Sequence, residues 1–436
     1  MDRRQFLKSA AVTGAIAAGA AIPGRGAQAQ QTMLRFSTPE ADPQQIKGWE
    51  SIFADFKSAK KVSVQPEYGL WDDLVKKIAA DLVAGTPPAL IAGGSKPGFM
   101  IDLARRGLTI DLAKVVDEIG RDDFDAAALA QWQYKGQQVS IPYGQQWAVL
   151  WCRTDLFEEA GVKLPETWDD YRAAAEKIHK PDKGLYAAAF PAGRTWNTHI
   201  QSIAHIWSAG GYFFDEKLNV VLDSPETVRA IRYYTDMVKR FSPPDASSYG
   251  FREASAAYTT GKSATTFYWG RVLTHLYQQN PALLKVSQTV FIPRDKQYKF
   301  GAGHDEFTVM KGPNSAQAIE LVKFMLSDPD QFYRLLAPVI AHVVPTRKSI
   351  VPKLQQHEWV RDNPRIVKTL IEPHNYGASD TFESRNHPFN YKMDAMISKN
   401  VLPDMVQRIV VGGDPVEKAV SAAHKTATDI AKDIKG

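Results

Sequence analysis

The stretch IPYGQQWAVLWCRTDLFEEAGVKLPETWDD, residues 141–170, decides how this chain is divided. Ile141-Pro142-Tyr143-Gly144 breaks a run of alternating strands and helices with a proline and a glycine. Trp147-Ala148-Val149-Leu150-Trp151 then reads as a short apolar strand with large side chains on both faces. Residues 155–160 predict a helical turn that Gly161 stops. Thr167 has Asp170 three residues on, the spacing of a capping box, so a new helix starts there. A break feeding a buried strand suits a chain that crosses from one globular unit to another.

Upstream of that crossing, residues 33–38 alternate as a strand. Residues 44–58 put Ile46, Trp49, Ile52, Phe53 and Phe56 on one helical face. A strand over 61–66 and a helix over 71–84, with Leu74, Ile78, Leu82 and Val83 inward, follow. The helix stops at Gly85-Thr86-Pro87-Pro88. A short strand at 89–92 leads through Gly93-Gly94-Ser95-Lys96-Pro97 to a helix ending near Arg106. This βαβαβα order predicts a mostly parallel sheet flanked by helices. Such sheets take ligands beyond the carboxyl ends of their strands, here 38–40, 67–68 and 93–96.

Downstream, helices are expected at 167–179, opening within 193–199 and closed at Gly210-Gly211, and from Ser224. The last has a serine cap, Pro225 at its first position and Glu226 in its first turn. A hairpin is expected over 213–222, and strands at 264–268 and 290–293. Residues 299–305 and 343–347 are two further candidate crossings. Phe307-Thr308-Val309-Met310 and a helix over 316–326 would return to the first unit. The last helix is expected to be capped at Asp414-Pro415.

A chain of 436 residues is too long for one ordinary core, which agrees with two lobes. The first residues read as a leader: Asp2-Arg3-Arg4-Gln5-Phe6-Leu7-Lys8, an apolar run at 10–22 too short to span a bilayer, then Ala27-Gln28-Ala29. That is a twin-arginine export signal, cleaved after Ala29. Its loss lowers the formal charge from +5 to about +2, because it carries four basic and one acidic residue. No long basic run remains, so nucleic-acid binding has no electrostatic support. The single Cys152 forms no internal disulfide and, in an apolar strand, reads as a buried thiol.

Taken in order, Trp71-Asp72-Asp73-Leu74 with Gly85–Pro88, Ile141–Gly144, Asp155-Leu156-Phe157, 161–168, Gly210-Gly211, Leu222-Asp223-Ser224-Pro225-Glu226 and Gly261-Lys262-Ser263-Ala264 resemble the family 1 extracellular solute-binding proteins of ABC importers, the group that includes the maltose-binding proteins. The resemblance covers nearly the whole chain after the leader. It departs at Ala89, where the family usually has Asp, and at Cys152-Arg153, often Tyr-Asn. It implies an α/β fold of two lobes, each a mostly parallel sheet flanked by helices, joined by crossing hinge segments. Residues 30–142 and 303–346 would form one lobe, 143–302 and 347–436 the other, after the leader at 1–29. It further implies a periplasmic, monomeric, cofactor-free receptor that performs no chemistry. Such a receptor would bind a carbohydrate between its lobes and pass it to an ABC permease.

Sugars present hydroxyls and flat C–H faces, which call for planar hydrogen-bonding groups and stacked rings. Trp269 is the foremost candidate: it stands where a strand meets a helix and matches a position where relatives often carry a stacking Trp. Ordinary core packing is its competing reading. Relatives also place Trp196 and His199 at the cleft, with a cap or surface role equally open for His199. Gln146 and Trp147 lie on the crossing, and Trp147 would serve as well in hinge packing. The strand-end rule adds Glu40, Glu67, Tyr68, Ser95 and Lys96. Trp71 would line the cleft or staple its own helix, and His304 and Asp305 follow Gly303 at the second crossing. Tyr376 and Arg385 are the weakest candidates. Trp49, Trp168, Trp207 and the pair Tyr233-Tyr234 fit packing. Lys96, Arg271 and Arg347 would favour an anionic ligand only if they pointed into the cleft. Alternatives left open are a non-sugar solute (acidic sugar, amino acid, peptide or metal) and, behind it, an exported hydrolase. Against the hydrolase, no P-loop or G-x-S-x-G elbow is present.

Overall fold

A computed structural model describes residues 33–93, 97–299, 301–371, 379–380 and 390–434. The first sheet begins with β1 (Met33–Thr38), β2 (Ser63–Tyr68) and β3 (Leu90–Ala92), and β1 pairs in parallel with both others. Between them run the helices Pro43–Lys60 and Trp71–Val83. The expected face of the first helix is the buried one: Trp49, Ile52, Phe53 and Phe56 are all inside. Two apolar clusters cover the sheet. One centres on Phe36, Trp49 and Phe307, the other on Ile78, Ile91 and Met100. Leu90 and Ile91, adjacent on β3, belong to different clusters because successive strand residues point to opposite faces.

The decisive stretch makes two strands, with the change of sheet at Ala148. β4 (Ile141–Trp147) belongs to the first sheet, while β5 (Val149–Arg153) is the middle strand of a second one. There it lies between β6 (Thr265–Tyr268) and β7 (Ser287–Val290). β8 (Gly301–Val309) returns to the first sheet between β3 and β4, and β9 (Val344–Pro345) closes its edge against β4. The first sheet therefore keeps the crossing strands further than the expected boundaries at 142/143 and 302/303. It is also mixed, since β8 runs antiparallel to β3 and β4. The three strands of the second sheet pair antiparallel, with parallel bridges at Tyr186–Ser263 and Ala189–Thr266 beside them. The expected parallel order holds for β1 to β3, where βαβ crossovers enforce it.

Helix starts agree closely with the sequence. Thr167 caps the helix Trp168–Ile178 in a complete capping box with Asp170, and Ser224 caps Pro225–Phe241. The helix Ser315–Ser327 packs on the first lobe. Trp49, Trp168, Trp207, Tyr233 and Tyr234 are core residues, and Cys152 is a buried free thiol. Other expectations shift: Val83, expected inward, is 92% exposed, and the strand expected over 61–66 lies at Ser63–Tyr68. The strand expected at 290–293 lies at Ser287–Val290. Asp414 does not cap the last helix, Val416–Lys432, because its carboxylate is taken by Arg408 and Lys418. No helix among the described residues is long and apolar enough to cross a membrane.

Candidate interlobe site

The first lobe contributes a polar floor at its strand ends. Beyond β1, Glu40 is buried and held from several sides. Its N–H donates to Thr38 Oγ1 at 3.1 Å, and its carbonyl accepts from Trp49 Nε1 at 3.2 Å. Its Oε2 accepts from Gln45 Nε2 at 2.7 Å. Gly93, at the end of β3, has φ +78°, and a Cβ there would come within 2.6 Å of Glu40 Cγ and 3.1 Å of the Tyr143 hydroxyl. Backbone conformation and close approach both require glycine at that point. Tyr143 is buried against Phe307, with ring centroids 4.6 Å apart. Burial, then the charges of Asp305, Glu40 and Glu306, hold its pKa well above the ordinary tyrosine value.

Asp305 and Glu306 straddle a register shift in the pairing of β8 with β4, and both are buried. Gln146 Nε2 donates to Asp305 Oδ1 at 2.9 Å.

The second lobe contributes rings. Trp269 follows β6 directly and is 7% exposed. Its ring lies 5.4 Å from Phe251 and 5.7 Å, edge-on, from Tyr268. Burial, together with Asp42 and Glu40 and against Arg271, pushes the Tyr268 pKa up to about 12. Arg271, two residues after Trp269, bonds Glu40 and Asp42 of the first lobe, so the ring cluster adjoins the polar floor. The helix Trp196–Ser208 starts beside this cluster: Thr195 caps it, and Asn197 Nδ2 donates to the Gly250 carbonyl at 3.2 Å. Trp196 stacks on His199 at 5.3 Å with planes 11° apart.

Arg271 joins the lobes. Its guanidinium donates to Glu40 Oε2 at 2.7 Å, to Gln45 Oε1 at 3.0 Å and to the Asp42 carboxylate. The site therefore combines ring faces, tyrosine hydroxyls that stay protonated at neutral pH, an amide and acceptor carboxylates. That set suits hydrogen bonding and stacking.

Of the expected residues, Gln146 and Asp305 are bonded to each other, and Arg271 links Glu40 to the segment that carries Trp269. Trp196 and His199 pair with each other at the start of their helix. His304 pairs across the strands with Gln145, and desolvation lowers its pKa to about 4, so it is neutral at pH 7. Trp147 is buried, and its indole N–H donates to the Thr369 carbonyl at 3.1 Å. Glu67 is committed elsewhere: Arg35, Ser37 and Lys77 hold its carboxylate, and none of them joins the Glu40 cluster. Tyr68 packs on the first-lobe core, and burial and nearby Glu50 push its pKa up to about 12. Trp71 begins its helix as expected, while its side chain lies outside the described residues, as do Ser95, Lys96, Tyr376 and Arg385. Arg347 points away from the site, buried between Asp123 and the Leu326 carbonyl.

Asp42, Gln45, Tyr143, Phe251 and Tyr268 had not been singled out. Asp42 and Gln45 lie within a few residues of a strand end, so a wider reading of the strand-end rule would have reached them. Nothing local in sequence pointed to the others.

A profile of the bacterial extracellular solute-binding proteins matches residues 41–332. The chain belongs to that family. Among its relatives is the mannitol-binding protein of Pseudomonas aeruginosa, 32% identical over 133 residues, which is 30% of each chain. That alignment therefore spans less than a third of the relative. Two solved structures share the fold along nearly their full length. One is an ABC transporter solute-binding protein from Thermotoga lettingae TMO bound with α-D-tagatose: TM-score 0.78, 20% identity, 92% of this chain and 99% of that one. The other is a solute-binding protein from Agrobacterium radiobacter K84 in complex with ribitol: TM-score 0.77, 20% identity, 92% and 98%. Members of this family are receptors for solutes.

Proposed function

We propose that the protein is the carbohydrate receptor of an ABC importer, taking a small neutral sugar or polyol between its lobes and handing it to a membrane permease. One observation carries the reading: the rings Trp269, Phe251 and Tyr268 of one lobe adjoin Arg271, which bonds the buried acceptor Glu40 of the other lobe, whose crossing strands also bury Asp305 bonded to Gln146. Rings cover the C–H faces of a sugar or a folded polyol, and carboxylates and amides accept or donate to its hydroxyls. The mannitol, tagatose and ribitol named for its relatives support the same solute class. A micromolar solute needs about −8 kcal/mol, which one or two stacks and several hydrogen bonds at about 1 kcal/mol each supply. The leader supports export to the periplasm by the twin-arginine route. The receptor acts as a monomer, without cofactor or catalysis.

Calorimetry and thermal shift of the chain from Gln30 onward, against a panel of sugars and polyols, test this. A specific solute raises the melting temperature through linkage. Trp269→Phe should retain much of that shift and Trp269→Ala should abolish it. A shift produced only by an amino acid, a peptide or a metal ion would refute the solute class. Turnover of a chromogenic glycoside or ester would refute the receptor reading.

A further inference from the structure

Arg271 is the first residue of the helix Arg271–Gln279 in the second lobe. A cation there faces the positive end of the helix dipole, so its own element gives it no electrostatic support. Its neighbours on that side include His275, one turn along, and the buried His342. Its acceptors all come from the first lobe: Glu40 Oε2 at 2.7 Å, Gln45 Oε1 at 3.0 Å and the carboxylate of Asp42. They lie 226 to 231 residues away in sequence. The receiving end is built in advance. Gln45 donates back to the same Glu40 oxygen, and the Glu40 backbone is tied to Thr38 and Trp49. The Arg271 and Glu40 side chains are 14% and 8% exposed, so water screens the pair little.

Gly270 explains how the helix start gets so close. Its backbone is ordinary right-handed helix, φ −61° and ψ −12°, a conformation every residue adopts. Yet a Cβ would overlap the Ala341 carbonyl and lie 2.7 Å from the His342 nitrogen. What requires glycine there is the approach of the third crossing segment. A second overlap would arise at Gly98, where a Cβ meets Asp394 on the helix Tyr391–Ser398, packed in the second lobe.

We infer that the Gly270–Arg271 corner is a closing latch, seating on the Glu40–Asp42–Gln45 pocket and holding the lobes together through protein groups alone. The latch sets the resting population of the closed form and so the apparent affinity for whatever solute binds it, since affinity scales with the closed fraction. The contacts form between protein groups with no solute present, so failure of the sugar panel would leave this inference standing.

The test uses the chain from Gln30 onward, without added solute. Small-angle scattering and a spin-label pair spanning the two lobes report the closed fraction. Arg271→Met and Gly270→Ala should each shift it toward the open form, by about ten- to a hundredfold in the closed-to-open ratio for Arg271→Met. Gly270→Ala keeps the charges and its backbone suits alanine; because Ala341 packs with the second-lobe core, urea unfolding of both variants checks that this lobe stays folded. Asp42→Asn should give a smaller shift, and the double variant Arg271→Met/Asp42→Asn should show that the two effects are not additive. With a solute found by the panel, Arg271→Met should weaken binding by the same factor as its loss of closed fraction. Wild-type distances in both Arg271→Met and Gly270→Ala would overturn the latch. Weakened binding with unchanged distances would also overturn it, by making Arg271 a solute contact.

Discussion

His205 makes the second lobe sensitive to acid. It sits on the helix Trp196–Ser208, 1% exposed, inside an aromatic cage. Trp168 and Tyr233 stack with it at 5.6 and 5.9 Å, and Tyr234 and Phe267 meet it edge-on at 5.2 and 5.5 Å. Nδ1 lies 2.7 Å from the Gln201 carbonyl, so the proton of the neutral ring is on Nδ1. Nε2 has no hydrogen-bond partner among the described residues. A second proton on Nε2 would bury a charge with nothing to accept from it. Desolvation accordingly lowers the pKa from 6.5 to about 4, against a small opposing pull from the Gln201 carbonyl. The unfolded chain binds that proton more readily. The stabilisation is complete above pH 6.5 and drains away as pH falls toward 4, by about 2 kcal/mol at pH 5 and about 3 kcal/mol at pH 4. Urea unfolding of the second lobe, followed by tryptophan fluorescence between pH 7 and 4, measures the loss. His205→Phe keeps the cage filled and removes the titration. Its stability should fall less than wild type over the same range, by about 3 kcal/mol. Parallel pH profiles for the two proteins would refute the reasoning.

Two further substitutions probe the frame on which the site rests. Arg347→Met leaves Asp123 without its buried partner and frees the Leu326 carbonyl. It should destabilise the first lobe by about 3 kcal/mol in chemical denaturation, with solute affinity unchanged for the folded protein. Thr167→Ala removes the hydroxyl that accepts from the Asp170 N–H at 3.2 Å and dissolves the capping box. A loss of about 1 kcal/mol is expected, read as a lower urea midpoint at unchanged slope.

Much of the fold was legible because its signals are short-range. The periodic faces of the first helix, the caps at Thr167 and Ser224 and the stops at Gly161 and Gly210 act within a turn or two of chain. The break at 141–144 located the crossing, yet β4 runs on to Trp147 because its hydrogen bonds to β8 and β9 continue past the proline and glycine. The strand-end rule found Glu40 and also chose Glu67. Glu40 lies just beyond one strand and Glu67 near the end of its neighbour in the same sheet, and their surroundings differ: Arg35, on the adjacent strand, draws Glu67 into a surface network with Lys77 and Asp81. Alternation along one strand says which face a side chain takes, and says nothing of who waits there.

The amino-acid order by itself determined the two-lobe α/β architecture, the family resemblance and the element starts, because periodicity, caps and breakers are read from neighbours in the chain. Tertiary structure alone decided that Arg271 meets Glu40, that Tyr143 and Tyr268 share Glu40 and Arg271 as charged neighbours from opposite lobes, and that Gly270 must be glycine. Those groups stand as much as 231 residues apart and acquire their chemistry only when the second lobe docks on the first.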